Sequence, residues 1–356
     1  MNEVILRNSL AMQYICAARK TFTGRHEISY SDRKIVIGHF SDIHGDVKRM
    51  ENAMAVFEYV KPDFAIHTGD TVMWNTSDDF SFFRKMAQKC SVPVYTCIGN
   101  HDTFNNEGNN DNSFLHESFI KKFGINNGKN GYGYIDFEKI GIRLVILNDY
   151  EYCGDMLRDK YAVLKEQCEW LIGVLKESSD KGFKIIIAAH ENEEDINPHS
   201  ANNAFCQRAA IYPWGLPHLR PHPAADIVNA FKHGGALKQT YFYEYNNQSF
   251  EIDCSFDKNG EFICWLCGDR HGDFAGYLPS YPEQLSITVT CSGCFPEGYH
   301  NIGEECSDLP RIPDTVSEDA INFYVIDAEK HDLCAIRVGA YINDRFEHRL
   351  AEHFKY

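Results

Sequence analysis

The chain has 356 residues, with 35 Lys and Arg against 51 Asp and Glu, a formal charge of −16 at pH 7; 44% of its residues are hydrophobic and 24% charged. This composition excludes a disordered or fibrous chain, and no apolar run approaches the roughly 20 residues that span a bilayer, so no membrane association is expected. The acidic balance, with no basic stripe, counts against an extended nucleic-acid interface, which needs Lys and Arg to displace counterions.

Residues 1–33 fit no strong pattern and are expected to form an N-terminal extension that packs as a helix against the outside of a domain spanning 34–340. Glu3, Arg7, Arg19 and Lys20 break up the first apolar stretch and argue against a secretory signal. Lys34–Phe40 reads as a buried strand ending at Ser41-Asp42. Val47, Met50, Ala53, Met54 and Phe57 then follow the spacing of one helical face, which predicts a helix over Val47–Val60. Phe64–His67 is the next strand, ending at Gly69-Asp70. A helix around Phe80–Cys90 leads to a third strand, Val92–Ile98, ending at Gly99-Asn100. Alternation of this kind implies parallel pairing through crossover helices.

Tyr132–Phe137 and Ile142–Leu147 read as a hairpin. A helix over about Tyr161–Lys176 precedes the strand Lys184–Ala189, which stops at His190. The segment 191–240 is polar, contains Pro198, Pro213, Pro217, Pro221 and Pro223, and reads as an inserted lid loop with one helix near Ala224–Lys232. Strand-like runs follow at Tyr241–Tyr245, Phe250–Phe256, Glu261–Cys267 and Ser286–Cys291. A final hairpin pairs Phe323–Asp327 with Leu333–Val338, and 341–356 reads as a polar tail.

The 13 cysteines, with no export signal, read as reduced, buried residues of a cytoplasmic protein. Cys264–Cys267 and Cys291–Cys294 have the spacing of a zinc knuckle. In the run Phe262–Cys267, however, positions i and i+3 of a strand face opposite ways, which favours buried thiols over metal ligands. His39 and His67, inside strands, are expected to be satisfied core histidines. His199, His218, His222 and His233, with Tyr212 and Trp214, lie in the insert and are expected to belong to a polar loop packed on the domain.

Acidic, imidazole and amide side chains collect where strands end: Asp42-Ile43-His44, Gly69-Asp70, Gly99-Asn100-His101-Asp102, His190 and Gly268-Asp269-Arg270-His271. In an open α/β sheet the carboxyl ends of strands share one rim, and ligands bind there. One Asp-x-His block commonly just caps a helix, but five such strand ends make a polydentate metal site.

The ordered blocks D-x-H, G-D, G-N-H-D, H and G-x-x-H, between about Ile35 and His271, resemble the calcineurin-like metallophosphoesterases, a family that includes purple acid phosphatases, cyclic-nucleotide phosphodiesterases and related exonucleases. The resemblance implies an α/β fold: a two-sheet β-sandwich flanked by helices. It also implies a dinuclear metal-dependent phosphohydrolase that cleaves a phosphomonoester or phosphodiester of a small molecule by attack of a metal-bridging hydroxide. One metal would take Asp42, His44, Asp70 and His271. The other would share Asp70 and add Asn100, His190 and Asp269. His101 would serve the leaving group with Asp102 orienting it, and Arg270 could bind substrate phosphate. Asp269 departs from the family pattern, which has His at this place. The extra carboxylate favours two divalent ions of manganese or iron, with magnesium also accommodated, over zinc. The competing reading is a degenerate, non-catalytic interaction scaffold, which has no physical need of the seven retained site residues Asp42, His44, Asp70, Asn100, His101, His190 and His271.

Overall fold

The computed structural model describes residues 11–19, 34–73, 77–103, 131–151, 161–191, 221–243, 247–269, 274–289, 314–316, 318–340 and 351–356. Its organising strand is β1 (Lys34–Phe40). β1 pairs in parallel with β2 (Phe64–His67), and β2 with β3 (Val94–Thr96). On its other side β1 meets β12 (Ala320–Asp327) antiparallel, followed by β13 (Asp332–Gly339) and β14 (Ala351–Lys355). The crossovers between the parallel strands are α2 (Val47–Val60) and α3 (Ser77–Lys89). Asp46 starts α2 where the reading places it, because its carboxylate accepts the N–H groups of Lys48 and Arg49 that the helix leaves open.

The second sheet also has six strands, in the order β10 (Phe274–Tyr277), β11 (Leu285–Thr288), β9 (Glu261–Cys267), β6 (Lys184–Ala188), β5 (Ile142–Ile146) and β4 (Gly133–Phe137). Its four central strands run parallel and its two edge strands antiparallel.

Strand alternation sorts the two cores. Phe40 and Phe323 lie against Phe57 of α2, so Ile35, Ile37 and His39 point the other way, toward the second sheet. There Ile37 shares a core with Leu144, Ile146, Ile186 and Leu266. The outer face of the second sheet (Val145, Ile185, Ile187, Trp265) is covered by α5 (Lys165–Lys181), α6 (Pro223–His233) and the hairpin β7 (Ala236–Tyr243)–β8 (Gln248–Ser255). Each fully buried aliphatic side chain contributes about 1.5–3 kcal/mol to holding these layers together. Cys264 lies in the core between the sheets and Cys267 in the core beneath the helices, so that pair cannot converge on one ion. Cys291 and Cys294 lie outside the described residues. Two mixed sheets flanked by helices are the expected α/β architecture.

Several boundaries differ from expectation. α5 starts at Lys165 because Ala162 bridges Tyr150 in extended conformation, and it runs on to Lys181, where Gly182 at φ 74° caps it. β7 begins at Ala236, inside the segment expected to be loop, while residues 192–220 of the insert, including His199, His218, Tyr212 and Trp214, lie outside the described residues. His222 stands at the N-cap of α6, and His233, in its last turn, faces Glu283 at the surface. At the termini, residues 11–19 form a helix, α1, whose buried Tyr14 hydroxyl accepts the Asp319 amide at 2.8 Å. Residues 351–355, expected within a polar tail, form β14 on the edge of the first sheet. Both histidines read as core residues are fully buried. His39 bonds Tyr324 and Thr68, and His67 bonds Thr96.

Candidate metal centre

Because β1, β2 and β3 are parallel, their carboxyl ends deliver Asp42 to His44, Asp70 and Asn100 to one rim. β6 and β9, also parallel, deliver His190 and Asp269. The rims meet across the seam between the sheets: the Asp269 amide donates to Asp42 Oδ1 at 3.2 Å, and His190 Nδ1 lies 2.6 Å from the Thr68 carbonyl oxygen. Within the first rim the loops continue the sheet, with His44 N–H on Asp70 O and Gly45 N–H on Thr71 O.

Asp70 is central. Its Oδ2 lies 3.6 Å from His44 Nε2 and its Oδ1 3.3 Å from His190 Nε2, so one carboxylate faces an imidazole on each side. Two groups of three side chains have ligand atoms close enough to hold an ion, His44–Asp70–His101 and Asp42–Asp70–His190, and they share Asp70. A short helix, α4 (Asn100–Thr103), carries three candidates, Asn100, His101 and Asp102. Asn100 Oδ1 is 3.1 Å from His190 Nε2, and Asp269 Oδ1 is 3.6 Å from the same nitrogen. With Nδ1 donating to Thr68, His190 turns Nε2 toward three oxygens from three residues. A single proton there can serve only one of them well, whereas a cation serves all, so the donor set fits a metal ion. Arg270 and His271 lie outside the described residues.

His101 donates its backbone N–H to Asp70 Oδ1 at 2.9 Å, and its ring Nδ1 lies 3.0 Å from the Met73 carbonyl oxygen. The ring stands edge-on to that of His44, centroids 4.7 Å apart. Asp102 is expected from the sequence to orient the His101 ring. Its two oxygens instead accept backbone amides, Val72 at 3.1 Å and Gly99 at 2.9 Å, which tie the 71–73 loop to the 99–103 turn.

The backbone is unusual where it presents these groups. Asp42 (φ 54°), His44 (φ 47°), Asp70 (φ 54°) and Asp269 (φ 68°) all occupy the left-handed region, a conformation costing about 1–3 kcal/mol each for such residues. Two glycines permit the close packing. A Cβ on Gly69 (φ 97°) would sit 2.4 Å from His190 Nδ1, and one on Gly99 would sit 2.3 Å from both the amide nitrogen and Oδ1 of Asp70.

The electrostatics follow from burial and crowding. Burial alone would raise the Asp70 carboxyl, but the imidazoles of His190, His44 and His101 overcome it and hold the group well below the ordinary carboxylate range. Burial would lower His190, yet Asp70, Asp42 and Asp269 raise it well above the usual imidazole value. Asp42 is driven upward by burial, reinforced by Asp70 and Asp269. Asp102 is pushed up to about 7 by burial and by Asp70. Carboxylates crowded without solvent call for compensating positive charge.

The strand-end reading omitted Asp149, which leaves β5 at the same rim. Its buried carboxylate accepts the amides of His190 at 3.3 Å and Glu191 at 2.5 Å. The signal was present: the apolar run Ile142–Leu147 ends in Asn148-Asp149, as the other site-bearing strands end in polar residues.

A helix-flanked double sheet whose parallel strands bring carboxylates, imidazoles and an amide to one seam defines a metal-site hydrolase architecture. Residues 35–229, more than half of the chain, match the family model described as calcineurin-like phosphoesterase, and the chain belongs to that family. Among solved structures, a dimetal phosphatase from Danio rerio aligns at TM-score 0.55 and 12% identity, covering 90% of this chain and 99% of that one, a likeness in fold. The phosphopantetheinyl hydrolase of Mycobacterium tuberculosis aligns at TM-score 0.36 and 11% identity, over 73% of this chain and 91% of its own. No curated protein matches the sequence. Among the described residues, no helix is long and apolar enough to cross a membrane. Membership of this family makes the chain a phosphoesterase of the hydrolase class, and divalent metal ions are the cofactors the family implies.

Proposed function

We propose that the protein is a dinuclear metal-dependent phosphohydrolase acting on a phosphomonoester or phosphodiester of a small molecule in the cytoplasm. The observation that carries this reading is Asp70, whose two oxygens face His44 on one side and His190 on the other, the placement a bridging carboxylate needs. On this reading Asp42 and His44 would serve one ion, with His271 as the family pattern implies, and Asn100, His190 and Asp269 the other, with Asp42 also within ligand reach of His190. Divalent cations held there supply Lewis acidity toward phosphoryl oxygens and lower the pKa of water. The oxygen-rich donor set favours manganese or iron, or magnesium, over zinc. Most of the described cysteines are buried, as small apolar side chains are.

The chain's own groups have separate tasks. Thr68 fixes the His190 tautomer, so that Nε2 presents its lone pair to the site. The Met73 carbonyl fixes the His101 ring at Nδ1, so that Nε2 is the nitrogen that would serve the leaving oxygen as a proton donor. Asp102 acts through the backbone, locking the turn that places both Asn100 and His101. Arg270, next in sequence to Asp269, would meet a phosphate oxygen of the substrate as a charged donor.

The test is elemental analysis of the purified protein together with turnover of aryl phosphate mono- and diesters in Mn²⁺. Two equivalents of metal and turnover are expected. Asp70→Asn should lose both metals and at least 10²-fold in activity, an expectation for removing a shared ligand. Retained turnover in that variant would contradict the assignment.

A further inference from the structure

The loop leaving β5 grips the loop leaving β6. Asp149 is fully buried and donates nothing to the two candidate ligand groups. Its oxygens divide between two consecutive main-chain amides, Oδ1 accepting His190 N–H at 3.3 Å and Oδ2 accepting Glu191 N–H at 2.5 Å. The next residue repeats the grip, since the Tyr150 hydroxyl donates to Glu191 Oε2 at 3.0 Å and its ring lies 5.8 Å from that of His190.

The gripping loop is itself immobilised. Gln167 of α5 accepts the Asn148 amide at 2.9 Å and donates to the Asn148 carbonyl at 2.7 Å, and the Ala162 amide donates to the Asp149 carbonyl at 2.7 Å. The His190 ring is thus held at Nδ1 by Thr68, its carbonyl by the Gly268 amide at 2.7 Å, and its own amide by Asp149. Without Asp149 the amides of His190 and Glu191 are released while the Gly268 and Thr68 contacts remain, so the backbone that carries the imidazole can rotate between them and Nε2, at the far end of the ring, swings through the largest arc.

On the dinuclear reading above, we infer that Asp149 is a positioning residue for the metal centre: by clamping the 190–191 backbone it sets the occupancy of the cation on the His190 side of Asp70 without touching it. Its carboxylate is committed to two amides, which separates it from the ligands. Asparagine at this place would aim an amide donor at one of those N–H groups, so Asp149→Asn removes half of the clamp without changing size.

The experiment is a Mn²⁺ titration of the metal-free protein, read by bound metal and by electron paramagnetic resonance. The wild type should bind two ions with an exchange-coupled spectrum. Asp149→Asn should keep one site at wild-type affinity and weaken the other by about 10–100-fold, the usual size of an outer-shell effect. At one equivalent it should show the uncoupled six-line signal. Excess Mn²⁺ should restore turnover to within about threefold of wild type, a rescue that general structural damage does not allow. Tyr150→Phe, which removes only the contact to the Glu191 side chain and leaves both main-chain amides on Asp149, should titrate like wild type. If the asparagine variant does not fold, Asp149→Ser, which keeps one oxygen near the amides without adding bulk, carries the same comparison. Two tight, coupled ions in the variant overturn the inference alone. A wild type that takes up no Mn²⁺ overturns the dinuclear reading and this inference with it.

Discussion

Replacing Gly99 with Ala adds one methyl group at the tightest point of the metal centre. The backbone of Gly99 is not left-handed, so alanine suffers no conformational penalty of its own and the effect is purely steric. The new Cβ would stand 2.3 Å from the Asp70 amide nitrogen and 2.3 Å from Asp70 Oδ1. Relieving both contacts requires a separation of about 1 Å, since close-packed heavy atoms sit about 3.5 Å apart. Asp70 cannot yield easily, because its carbonyl holds the His44 amide and its Oδ1 holds that of His101. A shift of about 1 Å at a group that sets catalytic geometry costs on the order of 10²-fold in rate, and overpacking of this kind costs about 1–3 kcal/mol in stability. Gly99→Ala should therefore lose about 100-fold in kcat/KM on an aryl phosphate, show reduced metal content, and unfold a few degrees lower. Gly173→Ala is the matched control. It lies in α5 with nothing within 4 Å of the added methyl, and should leave activity unchanged while gaining about 0.5–1 kcal/mol of helix stability. Full turnover and full metal content in Gly99→Ala would refute the placement of Asp70 at the centre of the site.

Other expectations rest on the scaffold. His67 is buried among Phe40 and Phe83, and burial, with the nearby His190, lowers its pKa to about 3. The unfolded chain takes up this proton near pH 6.5 and the folded chain refuses it until about pH 3, so stability falls as pH drops through that window, by about 2–3 kcal/mol between pH 7 and 4.5. In urea titrations at those two pH values His67→Phe should show a smaller loss, and identical losses would exclude the mechanism. Arg143, fully buried, is bidentate to Asp136, reaches Glu177 and Ser178, and stacks 3.9 Å over Tyr134. Lysine cannot reproduce that fork, so Arg143→Lys should cost about 1–3 kcal/mol in thermal unfolding; an unchanged Tm would count against it. Cys264→Ala and Cys267→Ala should each cost about 1–2 kcal/mol and leave zinc content unchanged, and a parallel loss of one zinc equivalent would revive a knuckle.

Much of this molecule can be read from its residues because local and global signals agree. β1, α2, β2 and β9 run over the residues their periodicity and boundaries indicate. Each is bounded by chemistry that acts locally, such as Asp46 at the start of α2. The displaced edges have tertiary causes. Ala162 is extended because it pairs with Tyr150, a partner twelve positions away that periodicity does not see. β10 and β14 are short edge strands (FAGY and AEHFK) whose sequences alternate weakly and whose form comes from their neighbours. At the candidate site, polar residues ending apolar strands mark Asp42, Asp70, Asn100, His190 and Asp269, since parallel topology turns strand ends into neighbours. Asp149 carries the same mark. What sequence does not carry is the division of labour among carboxylates: Asp102 and Asp149 differ from Asp70 in meeting backbone amides on both oxygens, and only packing reveals that.

The metal centre straddles the seam between the two sheets, with Asp42, Asp70 and Asn100 on one and His190 and Asp269 on the other. Cations seated there would act as rivets, reinforcing the few hydrogen bonds that cross between the halves at that end and quieting several strained, mutually repelling acids at once. Loss of metal would then loosen the sandwich at its open mouth first, so that starvation for the ion exposes the seam to proteases while the distant ends of the strands stay closed.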